Sequence, residues 1–143
     1  LQAPAQRTGL PDGYADLVCS QSFLEHVDVD AVLAEMARIT RPGGFGVHSI
    51  DSVDHRVDGV PELHPREFLR VATDEPLVFG CNRLRPTEFI GRFEDAGFDV
   101  VGFDPHQRIE IDPELRSGLA EPFRSMDDDT LAITQGLVRV RRR

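Results

Sequence analysis

Between Ala15 and Ile50 the chain runs from a short apolar segment through an amphipathic one to a second apolar segment, and that order leaves few folds open. Ala15–Ser20 (ADLVCS) does not alternate polar with apolar, so it reads as a strand buried on both faces. Val29, Val32, Leu33, Met36 and Ile39 recur at three-and-four spacing, which places them on one face of a helix from about Asp30 to Arg41. Asp28 and Asp30 suit its positive N-terminal end, and Arg38 and Arg41 its negative C-terminal end. Pro42-Gly43-Gly44 stops it, since proline cannot continue a helix and glycine takes the left-handed conformation that follows one. Phe45–Ile50 is the next strand. Strand, helix and strand at these lengths predict two parallel strands joined by a crossover, and hence an α/β fold.

The remainder supports one domain. At 143 residues the chain is long enough to bury a core of its own, and its 40% apolar content with scattered charge is that of a globular domain. Residues 1 to 13 read as a loop. Residues 51 to 63 form a long polar loop, followed by a short helix over Pro65–Ala72 that turns Phe68 and Leu69 inward. A second helix over Pro86–Ala96 places Phe89, Ile90 and Phe93 on one face, with Pro86 in its first turn and Gly97 at its end. Val100–Phe103 reads as a strand, Pro113–Leu119 as a weak helix capped by Asp112, and Leu137–Arg141 as an alternating strand.

Composition excludes some functions. A net charge of -9 argues against nucleic acid as the main partner, and the Arg139, Arg141, Arg142 and Arg143 cluster reads as a solvated strand end. No apolar run approaches the roughly 20 residues of a membrane span, and no signal-peptide pattern is present, so a cytoplasmic location is the expectation. Cys19 and Cys81 lack CxxC or CxxH spacing, which predicts neither a disulfide nor a zinc site; Cys19 reads as a small core residue.

A resemblance follows from Leu10 to Ile50. Pro11-Asp12-Gly13 leads into Asp16-Leu17-Val18, then comes Leu24-Glu25-His26-Val27, and the helix ends in Arg38, Pro42, Gly43 and Gly44. In this order and spacing the segment resembles the middle of class I S-adenosylmethionine-dependent methyltransferases. Asn82 to Arg85 with Phe89, Phe93 and Ala96-Gly97-Phe98, and His48 to His55, are similar to a subgroup loosely associated with sugar or natural-product modification. The resemblance implies a partial Rossmann-like methyltransferase sheet: strands four to seven of seven, with flanking helices and the last strand antiparallel. Residues 1–143 are then a single domain, the C-terminal portion of a methyltransferase domain. The family's acidic-Gly-x-Gly-x-Gly loop and its ribose-binding acidic residue are not in this sequence. They are expected upstream of Leu1, leaving the first strand here with an open apolar edge for a second copy or a partner chain.

In an open α/β sheet the site lies beyond the C-terminal ends of the strands, which points to Ser20–His26 and His48–His55. By resemblance, Ser20, Gln21, Ser22, Glu25 and His26 bind S-adenosylmethionine; Glu25 equally suits a helix start, and the Ser20–Ser22 polarity equally suits a plain loop. A neutral imidazole near its ordinary pKa of about 6.5 accepts a proton readily. His48 or His55 is therefore the candidate general base, with Asp51 as the carboxylate that orients it. These residues with Asp54 also fit a polar loop holding one packed histidine, or a divalent-metal site, though no metal is the expectation. Asn82, Arg83 and Arg85 suit either an anionic or sugar substrate or the capping of the next helix. The expected function is methyl transfer to a small-molecule hydroxyl. The alternative is a non-catalytic methyltransferase-like module that pairs with another chain or completes its sheet.

Overall fold

The computed structural model describes residues 3–143. Four strands, β1 (Ala15–Gln21), β2 (Thr40–Asp51), β3 (Phe98–Arg108) and β4 (Ile133–Arg142), form one sheet in the order β1-β2-β4-β3. β1 and β2 run parallel, and β4 is antiparallel to both β2 and β3. This is the partial Rossmann-like sheet expected, with its last strand reversed.

Helix α1 (Val29–Ile39) makes the crossover. The Asp28 side chain accepts from the Ala31 amide at its start. The helix ends two residues earlier than its pattern suggests: the Thr40 hydroxyl bonds back to the Met36 carbonyl, and β2 begins at once. Pro42-Gly43-Gly44 is therefore part of the strand. Gly43 takes a φ of +76°, and a Cβ on Gly44 would stand 3.1 Å from the Asp16 carbonyl oxygen, so the entry of β2 requires glycine.

One face of the sheet carries the main core. Val32, Leu33 and Met36 of α1 meet Phe89 and Phe93 of α2 (Pro86–Asp95) over Ile50, Val138 and Val140. The opposite face is uncovered: Leu17, Phe45 and Val101 are each about half exposed, and Cys19 is exposed as well. The reading of Ala15–Ser20 as a strand buried on both faces, with Cys19 in the core, is overturned. Only alternate β1 residues, such as Val18, turn toward the helices.

A second cluster forms from segments the pattern left mostly as loop. Phe68 and Leu69 sit on a single 3-10 turn, Glu67–Arg70, in place of the longer helix expected. They pack with Leu115 of α3 (Pro113–Gly118), Leu119, Phe123, and Leu131 of α4 (Asp128–Ala132). Two fully buried arginines tie this cluster to the sheet. Arg66 donates to the carbonyls of Ser52, Leu131 and Ile133, and Arg85 to those of Ser52 and Arg83. Burial lowers both guanidinium pKa values, Arg66 to about 8 and Arg85 to about 10, while the ring of carbonyls keeps them charged near neutrality. No described helix is long and apolar enough to cross a membrane.

Arg66→Met takes the buried donor from the Leu131 and Ile133 carbonyls, while Ser52 keeps Arg85, at about 1–3 kcal/mol for each carbonyl left unsatisfied. Urea unfolding is expected to show a loss of about 2 kcal/mol or more. Arg41→Met, which breaks the exposed pair with Asp16 and a long contact to the Pro42 carbonyl, is expected to cost less than about 1 kcal/mol.

Candidate functional site at the strand ends

The parallel register sets Ser20 beside His48 and Gln21 beside Ser49, so β1 and β2 end at one level. Just past β1, the Ser22 amide bonds to the Ser49 carbonyl and Ser22 takes a φ of 42°. A non-glycine residue in that region is held there by its surroundings, and such positions concentrate at functional sites. The chain then turns through a 3-10 turn, Leu24–His26. Gln21 borders a shallow groove of about 380 Å³ on the open sheet face, with Cys19, Ser20, Val47, Ser49 and Leu137. A larger cleft of about 530 Å³ lies on the other side of the turn, against Val27–Asp30, Asn82 and Arg83.

Glu25 is almost completely buried, and neither carboxyl oxygen has a hydrogen-bond partner among the described residues. Burial raises its pKa to about 7. His26 is exposed, with Nδ1 at 2.9 Å from the Gly80 carbonyl oxygen and 3.6 Å from Cys81 Sγ.

His48, Asp51, Asp54 and His55 have different partners. His48 is 1% exposed on the helix-covered face, its Nδ1 at 2.9 Å from Ser20 Oγ and its ring stacked on Phe93 at 4.9 Å. Gly46 makes room for it, since a Cβ there would stand 2.6 Å from His48 Nε2. Burial pushes the imidazole pKa down to about 4. Asp51 accepts from the Val53 amide and from Gln135 Nε2. Asp54 is buried, which pushes its pKa up, but the Arg56 guanidinium and amide outweigh that and hold it below the usual carboxylate range. His55 instead meets His26, ring centroids 4.8 Å apart and edge-on, with its own Nε2 buried and unpartnered among the described residues.

The result is a group that local spacing did not signal. One nitrogen of His26, one of His55 and Cys81 Sγ lie within 4.8 Å of one another. The three come from separate loops, so no short motif contains them. Asn82, Arg83 and Arg85 are spent on structure: Asn82 donates to Leu24, Arg83 to Val71 and Thr73, and the Arg85 amide to Glu88.

Comparison with known proteins bears on the fold. Residues 1–47 match the methyltransferase-domain family. No curated protein matches the sequence. Among solved structures, the chain is similar to a methyltransferase solved in complex with the Trm112 methyltransferase activator of Haloferax volcanii (22% identity, TM-score 0.60, 99% of this chain and 60% of that one). It is also similar to S-adenosylmethionine-dependent methyltransferases of Methanosarcina mazei (14%, TM-score 0.61, 98% and 65%) and Thermotoga maritima (19%, TM-score 0.61, 100% and 63%). The chain thus spans less than two thirds of the length of each.

Two buried groups give opposing pH signatures. Between about pH 6.5 and 4 the unfolded chain takes up a proton that folded His48 refuses, so this residue alone makes stability rise with pH, by at most roughly 3 kcal/mol. Between about pH 4.5 and 7 folded Glu25 keeps a proton that the unfolded chain releases, so it makes stability fall with pH. Urea midpoints across this range are expected to slope downward with rising pH in His48→Phe and upward in Glu25→Gln; parallel profiles would contradict both assignments.

Proposed function

From a chain whose residues 1–47 match the methyltransferase-domain family, and whose described residues fold as a partial class I methyltransferase sheet, we propose an S-adenosylmethionine-dependent methyltransferase acting on a small-molecule hydroxyl, such as that of a sugar or natural product. In this reading residues 1–143 are one domain, the C-terminal portion of the methyltransferase domain. The observation that carries it is the end of β1, where strained Ser22 and unpartnered Glu25 stand at the C-terminal edge of parallel strands.

The residues there fit part of the cofactor. A buried carboxyl without a partner among the described residues suits a cationic group, and Ser20, Gln21, Ser22 and His26 lie on the same strand end and turn. Ser20, Gln21, Ser22, Glu25 and His26 would hold the cofactor, which supplies an electrophilic methyl group when bound. The chain's own work is to align a hydroxyl and remove its proton. His55 is the base in this reading, because its Nε2 has no other partner. His48, walled into the core, acts by positioning the Ser20 hydroxyl. Asp51 fixes the turn after β2 through its bonds to Val53 and Gln135, which keeps His55 at the strand end.

One observation favours a second reading. β1 pairs only with β2 among the described residues, and Leu17 and Phe45 are exposed on the uncovered face. A module that completes its sheet with a second copy or a partner chain would cover both, and the Haloferax volcanii relative was solved with an activator protein.

Methyl transfer to a panel of hydroxylated acceptors tests the first reading. His55→Ala is expected to lower turnover by about 100-fold or more while S-adenosylhomocysteine affinity changes by less than about threefold. Unchanged turnover removes His55 as the base; a folded protein that neither transfers methyl nor binds the homocysteine product favours the partner module.

A further inference from the structure

His26, His55 and Cys81 are brought together by a hairpin whose Val78 and Cys81 also pack in the second core. Cys81 closes a tight hairpin: the Val78 and Cys81 backbones exchange two hydrogen bonds across Phe79 and Gly80, both at positive φ, 54° and 80°. Glycine takes that conformation freely, but Phe79 does so at a cost that its surroundings must offset. The offset is visible, because the Arg56 guanidinium lies 3.5 Å over the Phe79 ring while Asp54 grips Arg56 from below. The turn that carries His55 is thereby pinned to the turn that carries Cys81. The third member is set from the same hairpin, since the Gly80 carbonyl contacts His26 Nδ1.

We propose that His26, His55 and Cys81 form a binding site for a divalent cation of the zinc class. Two imidazoles and a thiolate are the donors that select such an ion over magnesium or calcium, which take oxygen. The distances are close to those required. At ordinary zinc bond lengths, tetrahedral N and S ligands sit roughly 3.3–3.7 Å apart. The three ligand atoms here lie within 4.8 Å of one another, and side-chain rotation spans the difference. The backbone carbonyl on His26 is the contact that fixes the tautomer and ring orientation of a metal-bound histidine. His55 Nε2, buried and without a partner, gains one. The two carboxyl oxygens of Glu25, one residue away, are also unpartnered among the described residues.

Three protein ligands leave a fourth position, and exposed His26 puts it at the rim, open to water or to an acceptor oxygen. An ion there would hold His55 as a ligand and take over the acidification of the acceptor in its place. The site stands independently of the methyl-transfer reading, because binding is read on the chain without turnover.

The test is zinc sulfate titration of the reduced, chelator-treated protein, in competition with a chromogenic chelator, followed by cobalt substitution. The expected result is one ion per chain with a Kd below about 1 μM, and a cobalt spectrum with a thiolate charge-transfer band. His26→Gln and Cys81→Ser should each weaken binding about tenfold or more, Cys81→Ser should abolish the charge-transfer band, and His106→Gln should change neither. His26 is exposed, so His26→Gln keeps its fold even if Cys81→Ser does not, and circular dichroism checks this. Stoichiometry far below one, or His26→Gln binding zinc like the wild type, overturns the site.

Discussion

Two guanidiniums share one carbonyl oxygen, and the upper half of the molecule depends on it. Ser52 follows the last residue of β2, and its carbonyl accepts from both Arg66 and Arg85. Residues 52–85 have little regular structure of their own and pack as a small second core beside the sheet. Such a segment stays ordered only if its backbone groups find partners. The buried arginines supply them, and Arg66 reaches the start of β4 through Leu131 and Ile133. The hairpin at Val78–Cys81 and the turn at His55 hang from that junction.

What the junction holds in place is a set of polar groups at the level where parallel β1 and β2 end. Burial differentiates them. His48 sits inside the helix-covered layer, so its imidazole stays neutral and fixes Ser20. Glu25 is buried without a partner among the described residues, which favours its protonated form; a cation beside it would favour the charged one. His55 and His26 meet edge-on. Polar side chains near the strand ends thus meet different surroundings, since strand alternation puts His48 on the helix-covered face while Glu25, His26 and His55 ride on turns.

Much of the fold was legible because its signals are local. The period of α1, the glycines at the entry of β2 and the proline and glycine bounding α2 each act within a few residues, and the strand–helix–strand order fixes parallel pairing. The errors came from long-range facts. Whether Leu17 and Cys19 are covered depends on what packs against the second sheet face, which their own pattern does not encode. His48, Asp51, Asp54 and His55 are neighbours in sequence, but their partners are not all local: His48 bonds to Ser20 and Asp51 to Gln135. Cys81 joins His26 and His55 through a hairpin that depends on Phe79 at positive φ, and no spacing rule anticipates that.

The central claim is that the turn after β1 is the cofactor-facing surface of this chain. Amide NMR spectra of the labelled protein, recorded with increasing S-adenosylhomocysteine, test it most directly. The account predicts saturable shifts concentrated on Ser20–His26 and the facing Ser49–Val53, with β3 and its turns unmoved. Shifts scattered over β3 and α3, or none up to millimolar ligand in a folded protein, would contradict it.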